Sequence, residues 1–397
     1  MVESLNTLFQ SPREHQFFQN PFLFYQKVRE AGKIVRWNDY DLMVTADYST
    51  VRNILSDNKF VREPPAGFFS NIPHELLPFY ENESRSMLER EPPYHTRLKS
   101  SVAPFFTNRR LKQLKHEIEY VCDNLIEKIP KTAEIDLLSN FSQKFPVIVI
   151  ANILGVPETM ASQLVKWSNN MVAMYQARRD NEIEIRAVAA TNEFSAYVKT
   201  LMKLKKINPT EDLVSYLINA NEAKESLKEE EIVSTIILLL NAGHEATVHT
   251  ITNGVKTILE SEFTLIDLIQ EPKLLTEEVL RYSTPLHMFT RYCKNEVTLY
   301  GRHFNAGEKI GLLLAAANRD PKHFEQPEKF NPFVKRKVNL ALGAGLHFCL
   351  GAHLARLELE IALKALIKKF PQMKISKTPA YQDNFHFYGL KELFLKL

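Results

Sequence analysis

The 397-residue chain is 45% hydrophobic and 24% charged, inside the globular range, and its formal net charge is only +3. So slight a positive excess gives no reason to expect nucleic-acid binding. Cys122, Cys293 and Cys349 are far apart and odd in number, which excludes a disulfide framework and leads us to expect a reducing, cytoplasmic setting.

In chain order, the polar first 20 residues lack the sections of a secretory signal. Residues 21–32 predict a helix, with Pro21 at its first turn and Gly32 just past its end. Residues 34–45 predict a hairpin about Asn38-Asp39. Pro64, Pro65, Gly67, Pro73 and Pro78 imply irregular backbone through residues 62–91. The apolar Phe68, Phe69, Phe79 and Tyr80 make this stretch either a pocket wall or a plain packed loop. Helical spacing then dominates residues 111–129, 141–154, 161–202 (interrupted) and 230–259. The last would be about 45 Å long, and its middle is apolar nearly all round, so it should be buried. Its most apolar run, residues 236–240, is far shorter than the roughly 20 residues that cross a bilayer, so no membrane association is expected. Residues 297–314 and 385–396 read as short strands, and 350–370 as a final amphipathic helix. The chain is mainly α with small β-sheets, and nothing divides residues 1–397 into more than one domain.

Residues 342–351, Leu-Gly-Ala-Gly-Leu-His-Phe-Cys-Leu-Gly, are the most informative stretch. Gly343 and Gly345 allow a tight turn close to a flat ligand. Gly351 opens a helix, whose unpaired N–H groups favour a thiolate at Cys349. Taken alone, these residues admit a haem-binding cysteine, a buried structural cysteine, or a zinc site with His347 and His353. On the long helix, Ala242, Gly243 and Ala246 leave room for a close approach, while Glu245 in an apolar stretch needs a partner or a role in proton transfer. A helix-packing groove explains the same residues equally well.

The cysteine stretch resembles the haem-ligand loop of the cytochrome P450 family, F-G-x-G-x-H-x-C-x-G, with Leu342 in place of the usual Phe. The resemblance implies a cytochrome P450 fold, with haem b (iron protoporphyrin IX) between the long helix and the cysteine-loop helix and Cys349 as axial iron ligand. Three further segments match the family in order. Glu278-Val279-Leu280-Arg281 resembles its E-x-x-R motif, implying a buried ion pair of Glu278 with Arg281 rather than a solvated one. His95, Lys99, Arg291 and His347 stand where the family binds haem, with Lys99 replacing an Arg and so losing its planar fork. Ala242 to Thr247 resembles A-G-x-[D/E]-T-T: Glu245 matches the acid, Ala246 replaces the first Thr, and Thr247 matches the second. That departure implies proton delivery by Glu245, helped by Thr247 or a substrate hydroxyl.

The family resemblance implies a monooxygenase that inserts one atom of O2 into its substrate. Its electrons would come from a separate ferredoxin or flavodoxin with its reductase. Arg109, Arg110, Lys112 and Lys115 could dock such a partner, or simply form a solvated helix face. Phe68, Phe69, Met171, Leu286, His287 and Phe289 are the expected pocket, mostly apolar, for a small lipophilic substrate of terpenoid, fatty-acyl or polyketide type. His287 could instead be a satisfied core histidine. Two rival readings are a peroxide-driven peroxygenase, which Glu245 argues against, and a non-enzymatic haem protein for gas sensing or electron transfer.

Overall fold

The long helix runs from Glu229 to Glu260, 32 residues or about 48 Å, in the computed structural model, which describes residues 6–130, 132–176, 179–220 and 227–397. Glu231 at its third position accepts from the Lys228 amide at 2.8 Å. Around it pack Phe145–Leu154, Ala161–Val172, Asn181–Ile207, Pro272–Tyr282 and Ala352–Lys369. Phe145–Leu154 is apolar at every position but the exposed Asn152, which suits its place between the long helix and Asn108–Glu127. These helices share one continuous apolar core.

Two smaller apolar clusters lie on the sheet side. A six-stranded sheet has the order Thr7–Leu8, Val35–Trp37, Leu42–Thr45, Lys309–Leu313, Met288–Cys293, Phe60–Val61. The expected hairpin is present: Val35–Trp37 pairs antiparallel with Leu42–Thr45 across a turn in which Asp41 takes φ +49°. The other expected helices form within a few residues of their bounds, as Phe22–Ala31, Asn108–Glu127 and Ala352–Lys369.

Two expectations are corrected. Residues 62–91 are not wholly irregular, because Leu77–Ser84 is a helix that places Pro78 in its first turn, where no amide is needed. Residues 385–396 are not one strand. Only Phe394–Lys396 pairs in a sheet, while Phe387 forms an isolated bridge to Leu286. The segment before Phe394 is instead held by side chains against the long helix, as when Asn253 Nδ2 donates to the Tyr388 carbonyl at 2.7 Å. No helix among the described residues is long and apolar enough to cross a membrane.

Candidate active site

Gly343 and Gly345 take φ +73° and +70°, folding the cysteine loop back until the Cys349 amide donates to the Leu342 carbonyl at 3.1 Å. At Gly345 a Cβ would lie 2.3 Å from the Leu55 carbonyl oxygen, so no side chain fits there. Lys99 Nζ clasps the same loop, donating to the Leu346 carbonyl at 2.7 Å and more weakly to Phe348 at 3.4 Å. Burial pushes the Cys349 thiol up, and the Gly351 N–H with the charges of Arg356 and Lys99 offsets only part of this. A metal would deprotonate the thiol outright on coordination.

The long helix is buried through most of its length, yet Leu238, Asn241, Ala242, Glu245 and Ala246 keep accessible surface. Their three-and-four spacing places them along one strip of the helix. Cys349 also keeps accessible surface although atoms crowd it on all sides. At Gly243 the helix-packing alternative holds. A Cβ there would lie 3.0 Å from Ile150 Cγ1, so its smallness serves packing against Phe145–Leu154. Thr247, one turn further on that same face, is only 6% exposed and stands off the accessible strip.

Glu245 has histidines on both sides, with His249 Nε2 3.4 Å from Oε1 and His244 Nε2 3.5 Å from Oε2. Burial raises its carboxyl, but His249, His244 and the more distant His386 prevail and hold it below the ordinary value. The His249 ring is fixed against Gly389, where a Cβ would come within 1.8 Å of Nδ1.

Arg291, His95 and His347 form a second group. The Arg291 guanidinium is 2% exposed and donates to its neighbour's carbonyl, Thr290, at 2.9 Å, with no carboxylate pairing it among the described residues. Burial and the charge of Arg62 push it down to about 9. His95 is likewise buried, its Nδ1 has no partner among the described residues, and burial then His347 push it down to about 4. The His95 and His347 rings lie 4.6 Å apart, and His347 Nε2 sits 3.0 Å from Glu91 Oε1.

Glu278 and Arg281 form the expected pair. Arg281 Nε and Nη2 donate to the two carboxylate oxygens, each at 2.7 Å, with both side chains buried. The remaining Arg281 donors reach the carbonyls of Asn318, Pro327 and Lys329, and Glu278 also accepts from the Asn331 amide at 2.8 Å.

The pocket residues divide. Phe289 lies beside the cysteine loop, its ring 3.7 Å from where a Gly343 Cβ would be. Phe68 packs edge-on against Tyr80, and Leu286 is half-buried. The side chain of Phe69 lies outside the described residues. One placement is corrected, and for His287 the core alternative holds. Met171 is a core residue, 1% exposed, reached by Asn241 Nδ2 at 3.7 Å. His287 is a satisfied core histidine: its Nδ1 bonds the Tyr25 hydroxyl at 2.8 Å, its ring packs 4.2 Å from that of Tyr388, and burial pushes it down to about 3.

A family model described as Cytochrome P450 matches residues 273–387. The chain is 32% identical to the polyketide biosynthesis cytochrome P450 PksS of Bacillus subtilis (strain 168), covering 96% of this chain and 97% of that protein. It is also 32% identical to the cytochrome P450 monooxygenase PikC of Streptomyces venezuelae, over 95% of this chain and 91% of the relative. The chain belongs to the cytochrome P450 family. Among solved structures, P450BioI in complex with acyl carrier protein ligated to hexadec-9Z-enoic acid matches with a TM-score of 0.90 at 30% identity, covering 96% and 99% of the two chains.

As a cytochrome P450 it is a monooxygenase that carries haem b and uses O2, a substrate and a source of electrons. The residues present fit that cofactor. A buried guanidinium without an acid and a buried imidazole without a partner suit propionates, and Cys349 offers the sulfur. The zinc alternative fails on placement, since His353 is exposed and no metal-holding group of three such residues exists among those described. Sequence reasoning missed Glu91, Arg62 and His249. Glu91, directly before Pro92-Pro93, was the nearest to a signal, while Arg62 and His249 carry none without the tertiary fold.

Proposed function

We propose that Cys349 holds the haem iron and that Arg291, His95 and His347 hold the propionates, with Lys99 acting mainly by clasping the cysteine loop. The observation that carries this reading is Arg291, a buried cation with no acid of its own beside a cysteine loop built on two left-handed glycines. Bound haem supplies the activation of dioxygen, and the protein supplies orientation, proton access and exclusion of water. Glu245 holds and moves the proton at its carboxylate, steadied by His249 and His244. With Ala246 lacking a hydroxyl and Thr247 off the strip, a substrate hydroxyl is the better helper.

The substrate is a lipophilic small molecule, and the relatives named above favour a polyketide or fatty-acyl skeleton over a terpenoid. Phe68, Phe289 and Leu286 support the same reading. Electrons come from a separate ferredoxin or flavodoxin with its reductase. All three cysteines are unpaired, which fits a reducing cytoplasm. One domain spans residues 1–397, as the core shared by the helices supports.

The test is the reduced carbon-monoxide spectrum of the purified holoprotein. Wild type should give the thiolate-type band and Cys349→Ser should lose it; a band that survives the substitution overturns the assignment. A screen for compounds that shift the ferric spin state then narrows the substrate class.

A further inference from the structure

Glu91 joins the three parts of the chain that carry the proposed propionate residues. Its Oε1 accepts from the Arg62 amide at 2.7 Å and lies 3.0 Å from His347 Nε2, and its carbonyl accepts from the His95 amide at 3.0 Å. Arg62 follows the strand Phe60–Val61, and its Nη1 reaches the Thr290 carbonyl at 3.4 Å, the same oxygen that Arg291 meets at 2.9 Å. The Glu91 amide donates to Glu63 Oε2 at 3.0 Å, so the backbone is held as well. The side chain of Glu91 keeps 20% of its surface and that of His347 only 8%, which leaves their contact largely out of water.

The neighbouring charges are already engaged. Arg62 pairs with Glu89, and Arg90 Nη2 lies 3.3 Å from Glu63 Oε1. That leaves Arg291 without an acid, and Glu91 without a Lys or Arg partner among the described residues. Despite burial, the bonds from His347 and the Arg62 amide hold the Glu91 carboxyl below its ordinary value, so it is ionised at neutral pH. A neutral amide could tether His347 equally well without opposing two propionates. What Glu adds at this position is its charge.

We propose that Glu91 is a positioning residue of the cofactor site, which fixes His347 for a propionate and supplies a negative charge that lowers the haem reduction potential. This rests on the propionate assignment proposed above. With Nε2 engaged by Glu91, Nδ1 is the His347 nitrogen left for the cofactor. Reduction of the iron transfers one electron from an external donor, breaks no bond and moves no proton, so the charge of the site falls by one. A fixed carboxylate nearby opposes that fall and favours the ferric state.

The test is a spectroelectrochemical titration of the substrate-free holoenzyme with dithionite and redox dyes, reading the ferrous-to-ferric ratio at the wild-type midpoint. Glu91→Gln keeps the shape and an acceptor oxygen but loses the charge, and should raise that ratio about fivefold, the scale of one partly screened charge. Glu91→Asp keeps the charge and should stay within about twofold of wild type. A tether alone would leave the Glu91→Gln ratio where it was, and an unmoved or lowered ratio overturns the proposal. The thiolate-type carbon-monoxide band, retained in the variant, shows that the shift does not come from lost ligation by Cys349. If Glu91→Gln takes up no haem or loses that band, Glu91→Asp decides: a ratio within twofold supports the charge, and a larger change overturns it. Arg291→Leu removes a cation and should lower the ratio about fivefold. If it does not, the propionate assignment fails and the role of Glu91 with it; if Arg291→Leu responds and Glu91→Gln does not, Glu91 alone falls.

Discussion

His249 Nε2 stands 3.4 Å from Glu245 Oε1, one turn further along the long helix, with its ring fixed against Gly389. That contact is the main influence holding the Glu245 carboxyl down against burial. Glu245→Gln should lower product formation about 10²-fold, the low end for a lost acid–base group, while reductant consumption persists. His249→Ala removes the first of the influences that oppose burial and should raise the carboxyl, moving the acid limb of the turnover profile to higher pH. A pH profile of coupled turnover checks both, and an unmoved acid limb in His249→Ala removes His249 from the account.

The Glu278–Arg281 pair is buried, and Arg336 Nε also lies 2.9 Å from Glu278 Oε2, so removing Glu278 leaves two guanidinium groups without their acid. Glu278→Ala should cost about 3–5 kcal/mol in denaturant unfolding, and Arg281→Ala less, because Arg336 still pairs the carboxylate. Arg281→Lys should recover little, because an ammonium cannot serve two carboxylate oxygens and three carbonyls from one plane.

Arg291 has the opposite problem, a cation waiting for an acid. Arg291→Leu should leave the apoprotein as stable as wild type or more so, since a buried unpaired charge is lost. The same change should speed haem loss about tenfold or more, measured by transfer to apomyoglobin. Slower haem loss would place the propionates elsewhere.

Arg97 ties Tyr94–Val102 to the start of the long helix, its Nη1 donating to Glu231 at 3.0 Å and its Nη2 at 2.5 Å. Despite burial, the bonds from Arg97, Tyr94 and the Lys228 amide lower the Glu231 carboxyl to about 2. Because the folded value is depressed, the stability it contributes is present above the ordinary carboxylate range near 4.5 and is lost as pH falls through about 2. The contribution is about 3 kcal/mol. Arg97→Ala should flatten acid unfolding between those limits, as followed by far-UV circular dichroism.

The family, the cysteine loop and the Glu278–Arg281 pair were legible because each depends on residues close in sequence. Two left-handed glycines, a cysteine before a helix, and an acid and a base three apart have their geometry set by the local backbone. The long helix was equally legible, since an apolar surface on every side can only be buried. Gly243 and His287 each admitted two readings, because their roles are set by what lies across from them. Ile150 explains the glycine, and the Tyr25 hydroxyl turns a pocket candidate into a core histidine.

The sequence by itself determined the helical elements and the ordered motifs whose resemblance to a family implied the cofactor, because those motifs join residues that are close along the chain. Only the tertiary structure decided which charges meet. Glu231 finds Arg97 from 134 residues away, and His347 finds Glu91 from 256. Burial and pairing, not composition, set the cost of a charge, and neither exists until distant segments have packed.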